Sequence, residues 1–145
     1  MAVTGREAVT LRAMVQAQYV LDAPDRPVLL MRGLVRRCPL CGSGSLFTHW
    51  AVMREACPRC ELHFERVEGH WIGAIGLNTV VSAAALLIVV AAGTVLTAPD
   101  IPFVPLLTAA TLTALITPIL FHPVSRTLWT AIDLAVRPID ADELT

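Results

Sequence analysis

The sequence predicts a small four-cysteine zinc ribbon of short β-hairpins, then an α-helical transmembrane hairpin and a short amphipathic C-terminal helix. Three observations predict it. Two Cys-x2-Cys pairs stand fifteen residues apart, two long uncharged apolar runs follow them, and arginine is concentrated on one side of those runs. Of the 145 residues 55% are hydrophobic, and the mean hydropathy is +0.65. Soluble domains usually carry about 45–50% apolar residues. The formal net charge of −1 gives no global pull toward nucleic acid.

Residues 1–30 read as an N-terminal extension, mobile or weakly helical. Leu11, Val15 and Tyr19 recur along one side of a possible helix over residues 7–20. Pro24 and Pro27 would end it. The alternatives are a helix that docks on something, or a start placed too early, since Met31 opens a self-contained unit. Glu7, Asp22 and Asp25 interrupt this region, so no secretory signal peptide is expected.

Residues 31–68 form the expected cytoplasmic ribbon. Cys38-Pro39-Leu40-Cys41 and Cys57-Pro58-Arg59-Cys60 have the spacing of a zinc site. Each short turn converges two thiolates on one cation, and two facing turns complete a tetrahedron with bonds of about 2.3 Å. Gly42 follows the first pair, where such a turn favours a left-handed residue. Leu46 to Val52 are rich in strand formers and read as ribbon strand. A unit this small buries too little apolar surface to fold alone, so the metal supplies much of its stability. One zinc ion on Cys38, Cys41, Cys57 and Cys60 is the expectation; a rubredoxin-like iron centre uses the same four thiolates. Two disulfides are the competing reading, disfavoured by a reducing cytoplasm. His49 and His63 are not needed once four cysteines fill the shell.

Residues 69–122 are the expected transmembrane hairpin, with spans at about 71–97 and 102–121. Both exceed or match the roughly 20 apolar residues that cross a bilayer core of about 30 Å. Pro99 and Asp100 mark the turn. Pro102 and Pro105 suit a first helical turn, and Pro118 should kink the second span. Nine of the eleven arginines precede Trp71 and two follow Phe121. The positive-inside rule therefore puts both termini in the cytoplasm, and the expected location is a bacterial inner membrane. No charge lies inside either span, which counts against an ion pump.

Between the spans, Ala74, Asn78 and Ser82 form one small polar stripe, and Ala109, Thr113 and Thr117 another. Asn78 should bond to Thr113, Thr117 or the carbonyl that Pro118 frees, because an unpaired amide in hydrocarbon costs several kcal/mol. Glu68 and His70 read as boundary residues or as a polar site at the bilayer mouth. His122 ends the second span at the same level, where it and His70 could meet.

Residues 123–137 read as an amphipathic interfacial helix with Val124, Leu128, Ile132 and Ala135 on one stripe. It either lies on the cytoplasmic leaflet or continues the second span. Trp129 suits the membrane–water boundary. Residues 138–145 are a short acidic tail.

The block Arg32-Gly33-Leu34-Val35-Arg36-Arg37-Cys38-Pro39-Leu40-Cys41-Gly42, with Gly44, Leu46-Phe47 and Cys57-Pro58-Arg59-Cys60, carries a family resemblance. With the two spans and the last helix, residues 31–136 resemble the bacterial domain of unknown function family numbered 983. Ser45 stands where a basic residue is expected, and Glu61 where a glycine is, which implies a different turn at the second pair. The resemblance implies a membrane-anchored zinc-ribbon protein. Gene neighbourhoods of that family, beside cytochrome c oxidase, suggest a role near respiratory complexes. The functional expectation is a non-catalytic accessory or assembly factor of a membrane complex, partnered by lipid and by another membrane protein or itself. The alternative is an iron electron-transfer or metal-handling protein. Nucleic-acid binding by the arginines is not expected, for want of an aromatic stacking platform.

Overall fold

The computed structural model describes residues 22–66 and 69–138, with Thr10, Met14 and Gln18. The remaining readings for residues 7–20, for Glu68 and for the acidic tail past Pro138 fall outside the described residues.

Helix α1 spans Arg26–Leu34. Pro27 sits in its first turn, where a missing amide hydrogen costs nothing. It ends in a doubly hydrogen-bonded cap. The Arg37 amide donates to the Arg32 carbonyl at 2.9 Å and the Arg36 amide to the Gly33 carbonyl at 3.2 Å. Arg36 takes the left-handed position at φ 59. Helix α1 runs across the boundary expected after residue 30, and its Leu29 is buried in the same core as Cys38, Cys57 and Cys60. The extension therefore ends earlier than the composition suggested.

Helices α2 (His70–Thr97) and α3 (Phe103–Val136) are joined by residues 98–102 and pack side by side. At 28 and 34 residues, they measure about 42 and 51 Å at 1.5 Å per residue. Both are long and apolar enough to cross a membrane. Helix α3 continues through Pro118 and Pro123, so the C-terminal helix is the end of the second apolar helix. Of the two geometries expected for it, continuation is the one observed.

The side of that end buried within the protein is not its apolar stripe. Pro123, Ser125, Thr127, Thr130, Ala131 and Leu134 are buried, while Val124, Leu128 and Ile132 are only partly covered. The reason is the neighbour. Gly33 brings the α1 backbone so close that a Cβ there would lie 2.7 Å from the Ala131 Cβ and 2.9 Å from the Thr127 carbonyl. Only small side chains fit that crossing, and the Thr127 hydroxyl donates to the Gly33 carbonyl at 2.7 Å.

The α2–α3 seam is set by similar fits. A side chain at Gly73 would collide with the Trp129 ring, and one at Gly93 with Leu106. Asn78 donates from Nδ2 to the Pro118 carbonyl at 3.1 Å. Asn78 thus turns to the second helix as expected. Its partner is the carbonyl of Pro118 itself, whereas the carbonyl that Pro118 leaves without a donor, four residues back, is that of Ala114. Thr113 is not the partner: its hydroxyl donates to the Ala109 carbonyl of its own helix at 2.8 Å. Ala109 is exposed and Ala110 is the partly covered neighbour.

Candidate metal centre

Cys38 and Cys41 lie on one turn, Cys57 and Cys60 on a second, and the two turns repeat each other bond for bond. The amide of residue 42 donates to the Cys38 carbonyl at 2.8 Å, and that of residue 61 to the Cys57 carbonyl at 2.9 Å. The Cys38 amide donates to Ser43 and the Cys57 amide to Leu62, at 2.8 and 2.9 Å. Gly42 sits at φ 76 and Glu61 at φ 58. Glu61 therefore occupies the same left-handed position as the glycine, and the different turn expected from its side chain does not occur. An L-residue there costs about 1–2 kcal/mol.

The β-hairpins expected between and after the pairs shrink to single antiparallel bridges, Phe47 with Met53 and Ala56 with His63. No ladder forms among the described residues. The chain turns back at once: the Val52 carbonyl accepts from both the Thr48 amide at 2.9 Å and the Thr48 hydroxyl at 3.2 Å.

The four Sγ atoms all lie within 4.8 Å of one another. Cys38 approaches Cys60 and Cys41 approaches Cys57, each at 3.6 Å. Sulfurs bonded at 2.3 Å to one tetrahedral ion lie about 3.8 Å apart, whereas a disulfide requires about 2.05 Å. All four cysteines are free thiols. Three are buried and Cys41 is half-buried. This donor set can hold a metal ion.

The electrostatics of the cluster point the same way. The hydrogen bond from Cys38 holds the Cys57 thiol far below its ordinary range, at about 2. Cys38 is raised by donating to Cys57 and Cys60 and by burial. At Cys60 the bond from Cys38 lowers the thiol, but its bond to Cys57 and burial outweigh this and push it up to about 12. Cys38, Cys57 and Cys60, all buried, thus favour one thiolate over several. A cation supplies the charge that lets the rest ionise.

Around the sulfurs, Leu29, Leu40, Leu46, Leu62, Phe64 and Leu134 make one core drawn from α1, the cysteine-bearing segment and α3. Arg32 on α1 donates to the Pro39 and Leu40 carbonyls at 3.1 and 2.8 Å, fixing the first turn. Arg36 lies over the Phe47 ring at 4.7 Å and donates to the Trp50 carbonyl at 3.2 Å. Arg66 ties the ribbon's exit to α3 through Asp133. The arginines read from the sequence as topology signals are also structural clamps.

The histidines stay apart from the cysteines. His49 and His63 are exposed. His70 faces Trp129, with ring centroids 6.2 Å apart. His122 lines a separate recess of about 200 Å³ with Trp71, Ala74, Ile75, Ser125 and Arg126. Among the described residues only the four cysteines form a metal-ligand group of three or more.

No family model, curated protein or solved structure matches the chain.

Proposed function

We propose that the chain is an integral membrane zinc protein of a bacterial inner membrane. Both termini are cytoplasmic, and it acts as a non-catalytic accessory or assembly factor of a larger membrane complex. One observation carries this reading. The four-cysteine cluster shares a single core with α1 and with the C-terminal end of α3, so the cluster and the helix pair form one body.

Membrane insertion is supported by what α2 and α3 leave uncovered. Val80, Leu87, Ile88, Val95, Phe103 and Leu107 are all exposed along the two helices. A continuous apolar surface of this size is stable in lipid and not in water. A core helix of a soluble protein would be buried instead. The arginine distribution supports the orientation. Burial of three cysteine ligands supports a closed structural site, since catalytic zinc keeps one open position. Membership of the family numbered 983 belongs to the same proposal, on the block over residues 36–47, and with it a respiratory partner.

Mild detergent extraction followed by affinity purification tests the role. The expected result is a membrane-protein partner that co-purifies with the native chain and is lost from Cys57→Ser, while the variant stays in the membrane fraction. A chain that purifies alone, coloured by iron and reversibly reducible, overturns the accessory role in favour of electron transfer.

A further inference from the structure

Helix α1 is apolar on two sides. One side, with Leu29 and Gly33, is buried against the ribbon core and α3. The other carries Val28, Met31, Leu34 and Val35, exposed by 39%, 61%, 47% and 56%. Val28, Met31 and Val35 fall at helical spacing and form one stripe, with Leu34 at its edge. A helix resting on a protein core normally turns a polar face outward.

The height of the stripe identifies what covers it. Gly33 touches α3 between Thr127 and Ala131, a rise of about 6 Å. The Trp129 ring, from within the same turn, packs on Gly73 of α2, two residues into the uncharged run that starts at Trp71. Helix α1 therefore crosses α3 within about one turn of the level where α2 becomes wholly apolar. At that level a bilayer has its headgroup–acyl boundary. A helix with an uncovered apolar side settles there with that side in the acyl region. The partly covered Val124, Leu128 and Ile132 of α3 are at the same end of the helix.

We infer that α1 is a membrane-surface helix, with Val28, Met31, Leu34 and Val35 dipping into the cytoplasmic leaflet. The inference rests on the transmembrane reading of α2 and α3. It makes the bilayer a structural wall of the metal site, because the helix held by lipid is also the one whose Arg32 clamps the first cysteine turn.

Photo-crosslinking separates the two claims. The full chain is reconstituted in vesicles of phosphatidylethanolamine and phosphatidylglycerol, with benzoylphenylalanine placed singly at Met31, at Ile88 in mid-span, or at Arg59 on the ribbon. Lipid adducts at Met31 and Ile88, with none at Arg59, are the expected result. Adducts at Ile88 but not at Met31 overturn the inference and leave the helix pair in the membrane. Adducts at Met31 to protein, whether a second copy or another chain, also overturn it. Absence of lipid adducts at Ile88 removes the transmembrane reading and the inference with it. A companion variant, Met31→Glu with Val35→Glu, should loosen vesicle protection of α1 from protease while α2 stays protected. Unchanged protection of both contradicts lipid contact at α1.

Discussion

Arg66 and Asp133 form an ion pair at 3.0 Å across 67 residues of chain, with side chains only 6% and 14% exposed. Arg66 also donates to the Arg137 carbonyl at 2.9 Å, at the end of α3 where unpaired carbonyls favour a cation. Arg66 lies four residues before α2, so the pair fastens the segment that leaves the cysteine turns to the C-terminal end of α3. Removing one partner of a buried pair leaves the other uncompensated, at a cost of about 3 kcal/mol. Asp133→Ala should therefore lower the melting temperature in detergent and expose the ribbon to protease. Replacing both, Arg66→Met with Asp133→Leu, should recover much of the loss. Equal losses in the single and double variants would contradict the pairing.

The α1–α3 crossing is equally sensitive. Gly33→Ala puts a Cβ against the Ala131 Cβ and the Thr127 carbonyl, and backbone does not yield cheaply. Overpacking of this kind costs about 1–3 kcal/mol. The variant should unfold at lower denaturant concentration and bind metal less tightly, because Leu29 and Arg32 move with α1. Substituting Gly44, where a Cβ meets nothing, should change neither.

How much of this was legible is decided by the range of each signal. The cysteine pairs and the two apolar runs are local patterns, and both reappear as the thiol cluster and the long helices. Asn78 was readable because depth alone constrains an antiparallel hairpin. Helix α1 was not, because nine residues carry a weak period and its burial depends on Thr127 and Ala131, more than ninety residues away. The same distance hid the polar face of α3: the apolar stripe at Val124, Leu128 and Ile132 is a local pattern, but burial of Ser125, Thr127 and Thr130 goes with the close approach of a glycine far away in the chain. Glu61 misled for a different reason. Side-chain type signals a left-handed turn only statistically, and here the hydrogen bonds of the cysteine turn impose it.

The two turns offer an internal comparison. Gly42→Ala introduces a Cβ at φ 76 beside the Arg32 guanidinium and should cost about 1–2 kcal/mol. Glu61→Gly relieves the same strain, offset by about 0.5–1 kcal/mol of unfolded-chain entropy, and should be close to neutral. Chemical denaturation of the metal-loaded protein checks the asymmetry. A Glu61→Gly variant as damaged as Gly42→Ala would contradict the equivalence of the turns.

Asn78→Leu should weaken the helix pair by about 0.6 kcal/mol, and by no more than about 1.7. The reason is that its amide bond to the Pro118 carbonyl links α2 and α3. The readout is thermal unfolding in a mild detergent with circular dichroism. Complete loss of folded protein would mean that Asn78 serves more than this bond.

X-ray absorption at the zinc edge, on protein purified anaerobically from membranes with its metal quantified, tests the central claim most directly. With Cys38, Cys41, Cys57 and Cys60 gathered round one point, the proposed zinc site predicts one zinc per chain with four sulfur neighbours at about 2.3 Å. A shell with nitrogen or oxygen in place of a sulfur, or a metal-free chain whose cysteines are paired in disulfides, would contradict it.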